Sequence, residues 1–481
     1  MKILGAGLIL AATLPGAFAQ TNAPATRVLS LSDCIDEALR HNLDIQIERF
    51  DPQISQFNVS LAYSSYDPVL SLGGDHSHDR NGTNSAPDVN SLSSGLSGSL
   101  PLGTTYNLGA NVADTYRPQP EFANGSVGMS VSQPLLKGAW IDSTRETILI
   151  DKNALKHSEQ QLRLQIITSI TAVENAYDEL VYARQNVTVE QQALDLAQTQ
   201  LDQDRQRVEF GSLAPLDVTQ DESQVAQSRA NLIAAQYTLV SDENALKNLI
   251  TDDYSKWHEL ELVPAGPLTA VWQYFDLQDS WTKGLSQRPE LLQAKLDVEK
   301  QGIVLKYDRS QFYPSLDLTG SFGYNGVGQN ISGVDEQFGR ANLPYYSYGA
   351  QLSMPLSLSS ARNTYKADKA TAQQVLLRLK QLEQNVMVAI DDAVKQANSA
   401  WESVDATKQS RIYAEAALDA EQKKYSVGKS TTFTVLQLQN NLTSARSQEI
   451  RALANYAEAL ANLSQQEGDT IERHHLNLEI K

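Results

Sequence analysis

Side chains of the kinds that bind metal ions occur at two places in the sequence. Asp75-His76-Ser77-His78-Asp79 alternates metal-ligand types, and His474-His475 lies near the C-terminus. A metal site needs three or four ligands that converge, but both segments lie among polar residues. We interpret the first as a solvated loop beside a strand and the second as part of a polar tail. We therefore predict no metal site and no bound cofactor.

Sequence signatures of catalysis are absent. The sequence contains no Gly-rich phosphate-binding loop, no nucleophile elbow, no H-E-x-x-H motif and no carboxylate pair at a spacing that indicates acid–base chemistry. The single Cys34 cannot form an internal disulfide and lies in a helical apolar pattern, so we interpret it as a buried structural thiol. A formal net charge of −18 argues against nucleic acid as a partner. The expected protein is not an enzyme.

The elements that would position any functional residue are duplicated. Residues 145–250 and 362–467 align without a gap at a constant offset of 217, which places Gly211 on Gly428. A second block aligns at an offset of 246 and places Pro68 on Pro314. The sequence thus predicts a first repeat, a connector, a second repeat and a tail, at residues 20–250, 251–276, 277–467 and 468–481. Two copies are too few to stack as a solenoid, and they favour a closed, symmetric assembly.

The first nineteen residues have the pattern of a signal peptide. Lys2 supplies the positive charge, residues 3–14 the apolar run, and Ala17-Phe18-Ala19 the cleavage site. No later segment is apolar over the length of a membrane-spanning helix. We therefore expect an exported protein without a helical membrane anchor.

Each repeat is predicted to contain three helices, at residues 31–62, 143–210 and 213–250 in the first and 277–309, 362–427 and 431–467 in the second. The longest have neither Gly nor Pro and, at about 1.5 Å per residue, span roughly 100 Å. Apolar residues recur every seven positions from Ile166 to Val208, which indicates a coiled coil. Both long helices end at a Gly, so each continues into a tight hairpin. We expect an entering helix and a returning helix to stack end to end beside each long helix.

Between the entering and the long helices, the apolar period changes to two, which predicts strands at about 66–135 and 314–356. Residues 75–90 and 326–342 are rich in Gly, Asn, Asp and Ser and are predicted as loops. The first β region is longer, because 66 residues separate Pro68 from Pro134. The extra length forms either one long strand pair projecting beyond the bilayer or an added hairpin. About four strands in one chain cannot hide their edges in a bilayer, so several chains must share one barrel.

The chain resembles the TolC family of outer-membrane channel-tunnel proteins over essentially its whole mature length. The local match is sharpest at Tyr425-Ser426-Val427-Gly428, which resembles the family's turn at the closed inner end of the tunnel, with Val208-Glu209-Phe210-Gly211 as its counterpart. The resemblance implies an α+β membrane protein in which three protomers form one β-barrel of four strands each and a periplasmic α-helical coiled-coil barrel. It also implies that a periplasmic adaptor and an inner-membrane pump of the RND or ABC type dock at the Gly211 and Gly428 turns.

The resemblance also implies a gate at this tip. The family's pattern predicts a hydrogen bond between Tyr425 and Asp217. An arginine of the same network is replaced by Ser430, with Lys429 as its candidate substitute, and the family's pore aspartates are replaced by Thr434 and Gln437. We therefore expect a tip that closes more weakly than is typical of the family and that is less readily blocked by multivalent cations.

Two functions fit the sequence. The first is a passive exit duct in the outer membrane, a homotrimer in contact with lipid that serves an efflux pump or a type I secretion system. The alternative is a periplasmic coiled-coil scaffold that does not conduct. The alternating apolar face of the strands favours the duct, because a scaffold does not need a lipid-facing surface.

Overall fold

The computed structural model describes residues 26–78, 88–117 and 121–476. In chain order the first repeat comprises β1 (Thr26–Leu29), α1 (Leu31–His41), α2 (Leu43–Glu48), α3 (Phe50–Tyr63), β2 (Val69–His78), β3 (Asp88–Ser99), β4 (Thr105–Arg117), β5 (Phe122–Pro134), α4 (Ser143–Glu209) and α5 (Pro215–Ile250). The predicted signal peptide lies outside the described residues.

The connector contains α6 (Tyr254–Trp257) and β6 (Glu261–Pro264). The second repeat comprises α7 (Leu277–Gln287), α8 (Pro289–Ser310), β7 (Ser315–Gly328), α9 (Ile331–Arg340), β8 (Pro344–Ser353), α10 (Ser359–Ser426), α11 (Thr432–Glu467) and α12 (Thr470–Arg473). Long helices joined to an antiparallel sheet make this an α+β protein, as the sequence predicts. No helix within the described ranges has the length and apolar character needed to cross a membrane.

The two helical hairpins end in matching turns. Gly211 and Gly428 both have φ of 71°, a left-handed conformation that side chains disfavour. After Gly211, the Ser212 amide donates to the Arg207 carbonyl at 2.9 Å, and after Gly428 the Lys429 amide donates to the Lys424 carbonyl at 2.9 Å. These bonds satisfy carbonyls that the helix end leaves free. Both long helices therefore reverse through the same backbone geometry.

The entering helices are interrupted, contrary to the prediction of continuous helices at 31–62 and 277–309. Asn42 separates α1 from α2 and caps α2 by accepting a hydrogen bond from the Ile45 amide at 3.1 Å. In the second repeat the chain breaks at Arg288, where Pro289 begins α8. Proline lacks the amide that would continue the preceding helix. The breaks lie where the entering helices pass the ends of the returning helices.

The main core surrounds the middle of α4, where α1, α5, β6 and α12 meet it. Asn42 donates to the Leu249 carbonyl at 2.9 Å, which links the entering segment to the end of α5. β1 pairs with β6 in parallel, so the connector is bound to the start of the first repeat. Cys34 is fully buried in this core, as the sequence predicts, and burial raises the pKa of its thiol to about 12. The thiol is thus structural and unreactive.

The strands form one six-stranded antiparallel sheet in the order β2-β3-β4-β5-β7-β8. Of the two alternatives for the extra length of the first repeat, the structure shows the added hairpin, β3–β4, which raises the expected number of about four strands to six. The predicted loops are also corrected. Residues 75–78 belong to β2, and residues 331–340 form α9, which Asn330 caps by accepting from the Gly333 amide at 3.0 Å. Residues 79–87 of the first predicted loop lie outside the described residues.

The sheet has one apolar and one polar face. A single row of directly paired residues crosses all six strands on the apolar face and is largely exposed: Leu70, Leu96, Leu108, Met129, Phe322 and Tyr346. A neighbouring row on the opposite face is polar after its first member: Val69, Ser97, Asn107, Ser130, Ser321 and Ser347. Such alternation is typical of a barrel wall between lipid and water.

Candidate functional site at the helical tip

A buried hydrogen-bond network joins the two repeats just above the glycine turns. The hydroxyl of Tyr425, in the last turn of α10, lies 2.7 Å from both carboxylate oxygens of Asp204 on α4 and 2.9 Å from the hydroxyl of Thr432. A carboxylate only accepts hydrogen bonds, so the phenol donates to Asp204 and Thr432 donates to the phenol. Burial and then the bond to Asp204 raise the pKa of Tyr425 to about 12, so the phenol stays protonated.

Asp204 is the partner of Tyr425, and the predicted hydrogen bond between Tyr425 and Asp217 is not formed in this structure. Asp217 is half-exposed in the first turn of α5, and within the described chain its side chain makes no hydrogen bond to Tyr425. Asp204 has an exposed fraction of 0%, because the side chains of Tyr425 and Thr432 and the carboxyl of Asp221 on α5 surround it. The carboxylate that faces the phenol therefore comes from the helix before the turn, not from the helix after it.

Two further side chains stabilise the buried carboxylate. Gln200, one turn earlier on α4, donates its amide to Asp204 at 2.8 Å. The Arg207 guanidinium lies 3.7 Å from Asp204 and 4.4 Å from the centroid of the Tyr425 ring. One cation therefore contacts both partners of the hydrogen bond. A buried carboxylate needs such compensation, because removing its charge from water is costly.

A second buried carboxyl, Asp221 on α5, lies against Asp204. Its exposed fraction is 1%, and neither of its oxygens receives a hydrogen bond from the described residues. Burial, and next the negative charge of Asp204, raise the pKa of Asp221 to about 7. Two adjacent buried carboxyls do not both ionise readily, so this pair holds a proton near neutral pH. We call Tyr425, Thr432, Asp204, Arg207 and Asp221 the tip network.

The other predicted tip residues lie outside this network. Ser430 donates to Glu421 at 2.6 Å, so it does not take the place of an arginine near Tyr425. Lys429 is exposed, and its side chain makes no hydrogen bond or ion pair within the described chain. The hydroxyl of Thr434 lies 2.9 Å from that of Thr431 at the start of α11, and Gln437 is exposed.

Exposed apolar residues flank both glycine turns, and sequence patterning did not single them out. Four side chains at the tip have exposed fractions between 65% and 84%: Phe210, Leu216, Val427 and Phe433. The repeat offset relates Phe210 to Val427 and Leu216 to Phe433. The signal that could have found them is the repeat itself, because apolar residues recur at equivalent positions beside both turns. The tip therefore presents two apolar pairs in each chain, at equivalent positions beside the two turns.

The histidines have ordinary structural partners. His76 and His78 extend from β2, where a nitrogen of His76 lies 2.9 Å from the Asn90 side chain and His78 contacts Asp88 on β3. A nitrogen of His474 lies 2.7 Å from the buried Glu174. Across residues 26–78, 88–117 and 121–476, no three His, Cys, Asp or Glu side chains are placed to hold a metal ion.

Comparison with known proteins gives the family. A family model described as outer membrane efflux protein matches residues 104–251 and 282–468. The outer membrane efflux protein BepC of Brucella suis biovar 1 is 23% identical over 436 residues, covering 89% of this chain and 84% of BepC. The outer membrane protein TolC of Escherichia coli K12 is 25% identical over 308 residues, covering 62% of this chain and 59% of TolC.

A solved structure shows the same fold. The CmeC outer membrane channel of Campylobacter jejuni superposes with a TM-score of 0.69 at 15% identity, covering 94% of this chain and 90% of CmeC. Long helices that end in paired tip turns, joined to a sheet with one apolar face, define an outer-membrane channel-tunnel fold. The chain belongs to the outer membrane efflux protein family and is an outer-membrane protein. Its relatives are channels and efflux components, in agreement with the expectation of a protein that is not an enzyme.

Proposed function

We propose that the protein is the passive outer-membrane exit duct of a tripartite efflux pump or type I secretion system. It works as a homotrimer whose tunnel crosses the periplasm and whose tip network forms the gate. The observation that best supports this proposal is the difference between the two faces of the sheet. Its exposed apolar row requires lipid, and its polar face is suited to line a water-filled lumen.

The two free edges of the sheet favour closure by identical copies. β2 and β8 are the outermost strands, and all neighbouring strands are antiparallel. Since a chain contributes an even number of strands to the sheet, its first and last strands run in opposite directions. The β8 edge of one copy can therefore pair antiparallel with the β2 edge of the next, and a ring of copies leaves no edge exposed to lipid.

The apolar pairs beside Gly211 and Gly428 are the proposed contact for the adaptor. Large exposed apolar side chains are enriched where proteins bind one another, and aromatic residues such as Phe210 contribute most when a partner buries them. In a trimer the pair would recur six times around the tip. An adaptor could dock there and bring an inner-membrane pump of the RND or ABC type to the duct.

The tip network is the proposed gate, because it joins the two helical hairpins of one chain where the tunnel ends. Opening the tip by moving α10 away from α4 would break the bond between Tyr425 and Asp204, so that the carboxylate would keep Gln200 and Arg207 but lose the phenol as a donor. Losing one donor to a buried carboxylate costs about 1–3 kcal/mol. The closed state is therefore favoured until a partner at the tip offsets that cost.

A planar-bilayer recording of the purified protein tests the duct against the periplasmic scaffold. The duct predicts a detergent-resistant trimer that fractionates with outer membranes and conducts poorly until the tip network is broken. A protein that is released with the periplasmic fraction, or that inserts without any conductance even when Asp204 is replaced, would support the scaffold instead.

A further inference from the structure

The β3–β4 hairpin has the structure of a wall segment, not of an appendage. β3 makes ten residue pairs with β2 and twelve with β4, and β4 makes eleven with β5. No register shift interrupts the ladders on either outer side of the hairpin. The hairpin is thus inserted between β2 and β5 as two full-length strands.

The hairpin also continues the two faces of the sheet. Leu96 and Leu108 fill the two places between Leu70 and Met129 in the apolar row. On the other face the hairpin contributes small residues, among them Gly95 and Gly109, which lie side by side in the ladder. A segment folded into the lumen would not need exposed leucines on one face, whereas a wall segment in lipid does.

Both ends of the hairpin are fixed relative to the rest of the chain. Its turn lies beside the start of the helical region, where the Gln133 side chain donates to the Leu102 carbonyl at 3.3 Å. At the turn, a Cβ on Gly103 would come within 3.1 Å of Pro134. At the far end, Val334 of α9 packs over Gly125, the partner of Val112 on β4. The hairpin therefore spans the same height as its neighbours.

We propose that the β3–β4 hairpin is part of the barrel wall. Three chains then close an eighteen-stranded barrel, and its outer opening does not limit the size of the cargo. This inference rests on the proposed trimeric duct. Three six-stranded sheets supply the eighteen strands. Because barrel diameter grows roughly linearly with strand number, the outer end is about one and a half times as wide as a twelve-stranded barrel. Selection by size then depends on the tip.

Electron microscopy of the full-length protein in lipid nanodiscs tests the proposal directly. We expect three-fold particles with eighteen strands around the lumen. A trimer with twelve wall strands, and the hairpin inside or outside them, would overturn this inference and leave the proposed duct intact. Particles that are not trimers would overturn the proposed function and this inference with it.

Deleting the β3–β4 hairpin tests the width of the barrel by a functional measurement. Removing residues 88–117 leaves β2 and β5 as antiparallel neighbours, because the deleted strands are an even number. Leu70 and Met129 can then pair on one face, since both belong to the same row of direct partners. With the tip opened by Asp204→Ala in both proteins, neutral polymers added on the side of the bilayer that faces the outer mouth of the barrel enter it and reduce the conductance. The largest radius that enters should fall to about two thirds of the wild-type value, in proportion to strand number. An unchanged cutoff would overturn the proposal.

A matched pair of substitutions keeps the proposal testable if the deletion does not fold. Leu108 and Asn107 are adjacent on β4 and point to opposite faces. A charge that faces lipid is strongly unfavourable, whereas one that faces water is tolerated. We expect Leu108→Arg to abolish the detergent-resistant trimer and Asn107→Arg to retain it. Equal yields of trimer from the two variants would overturn the assignment of the hairpin to the wall.

Discussion

The hydroxyl of Tyr425 donates to the buried carboxylate of Asp204 at 2.7 Å, which joins the long helix of the second repeat to that of the first. The equivalent positions of the other copies cannot form the same bond. The offset of 217 places Val208 at the position of Tyr425 and Glu421 at the position of Asp204, and valine has no hydroxyl to donate. Glu421 is bound by Ser430 at 2.6 Å and by Lys424 at 2.8 Å. The duplication therefore supplies the scaffold, and the differences between its copies supply the tip network.

Replacing Tyr425 with Phe should weaken closure of the tip. The variant removes one donor from a buried carboxylate, which costs about 1–3 kcal/mol. The closed state should lose about that much free energy, so the mean conductance in planar bilayers should rise, and Asp204→Ala should have the same effect. Tyr413→Phe is the matched control, because Tyr413 is on the same helix and exposed. Equal conductance of the Tyr425 and Tyr413 variants would show that the bond does not hold the tip closed.

The closed tip should be more stable at acidic than at alkaline pH. The pKa of Asp221 is raised from 3.8 to about 7, first by burial and then by Asp204 and Asp217, while Arg207 supplies the nearest positive charge on Asp204. A raised pKa means that Asp221 binds a proton in the folded, closed tip that the same carboxyl would release at neutral pH once it is exposed to water. This contribution is complete below pH 3.8 and is lost as pH rises through about 7.

Conductance measured between pH 5 and pH 9 checks this dependence. We expect the wild-type conductance to rise through neutral pH and Asp221→Asn to remove the step, because the amide cannot ionise. Asp217→Asn is the control, since Asp217 is the smallest cause of the shift and the step should persist. A pH step that survives in Asp221→Asn would assign the titration to another group.

The long helices were predictable because their signals are local and repeated. Neither α4 nor α10 contains Gly or Pro, and a residue that is flexible enough to end each helix follows at Gly211 and Gly428. The break at Asn42 was not predictable from periodicity, since asparagine also occurs inside helices. Its role depends on a contact with Leu249, which is distant in sequence.

The number of strands and the hydrogen-bond partner of Tyr425 could not be predicted from local patterns, because both depend on contacts between residues that are distant in sequence. β3 is rich in Ser and Gly, residues with weak strand preference, and its pairing with β2 and β4 supplies the stability instead. Asp204 is one of many charged residues near the end of α4, and only the fold places it against a tyrosine 221 positions away. Long-range packing thus decided both features.

Asn42→Ala should destabilise the junction between the entering and the returning helices. Asn42 accepts from the Ile45 amide and donates to the Leu249 carbonyl, and it is buried. Loss of a cap costs about 0.5–2 kcal/mol, and the unpaired carbonyl adds to this. Asn42→Ser keeps a capping oxygen but not the reach to Leu249, so its thermal midpoint should lie between those of the wild type and Asn42→Ala. Equal midpoints of Asn42→Ala and the wild type would contradict this role.

Polar replacement of the tip pairs should abolish adaptor binding without opening the gate. Cys34 is buried and unreactive, so a cysteine introduced as Lys429→Cys, at an exposed position beside the turn, is a unique site for crosslinking the adaptor. Replacing Phe210 and Phe433 with Ser should reduce capture at least tenfold, since buried aromatic anchors contribute about 2 kcal/mol or more each. Tyr237→Ser is the control, because Tyr237 is equally exposed but lies midway along α5. Similar losses in both variants would indicate a general defect.

Acidic side chains introduced at Thr434 and Gln437 should make the channel sensitive to block by divalent cations. The resemblance to the TolC family places pore-lining carboxylates at Thr434 and Gln437, so the wild-type channel should be little affected by divalent cations. The variant with Thr434→Asp and Gln437→Asp would add six carboxylates to a trimer, and Asp at 434 suits the first turn of α11, where the amide of Thr434 is bound by Thr431. Millimolar magnesium should then reduce conductance, and added salt should weaken the block by screening. Gln448→Asp, an exposed change farther along α11, is the control. If the double variant and Gln448→Asp respond alike to magnesium, Thr434 and Gln437 do not line the pore.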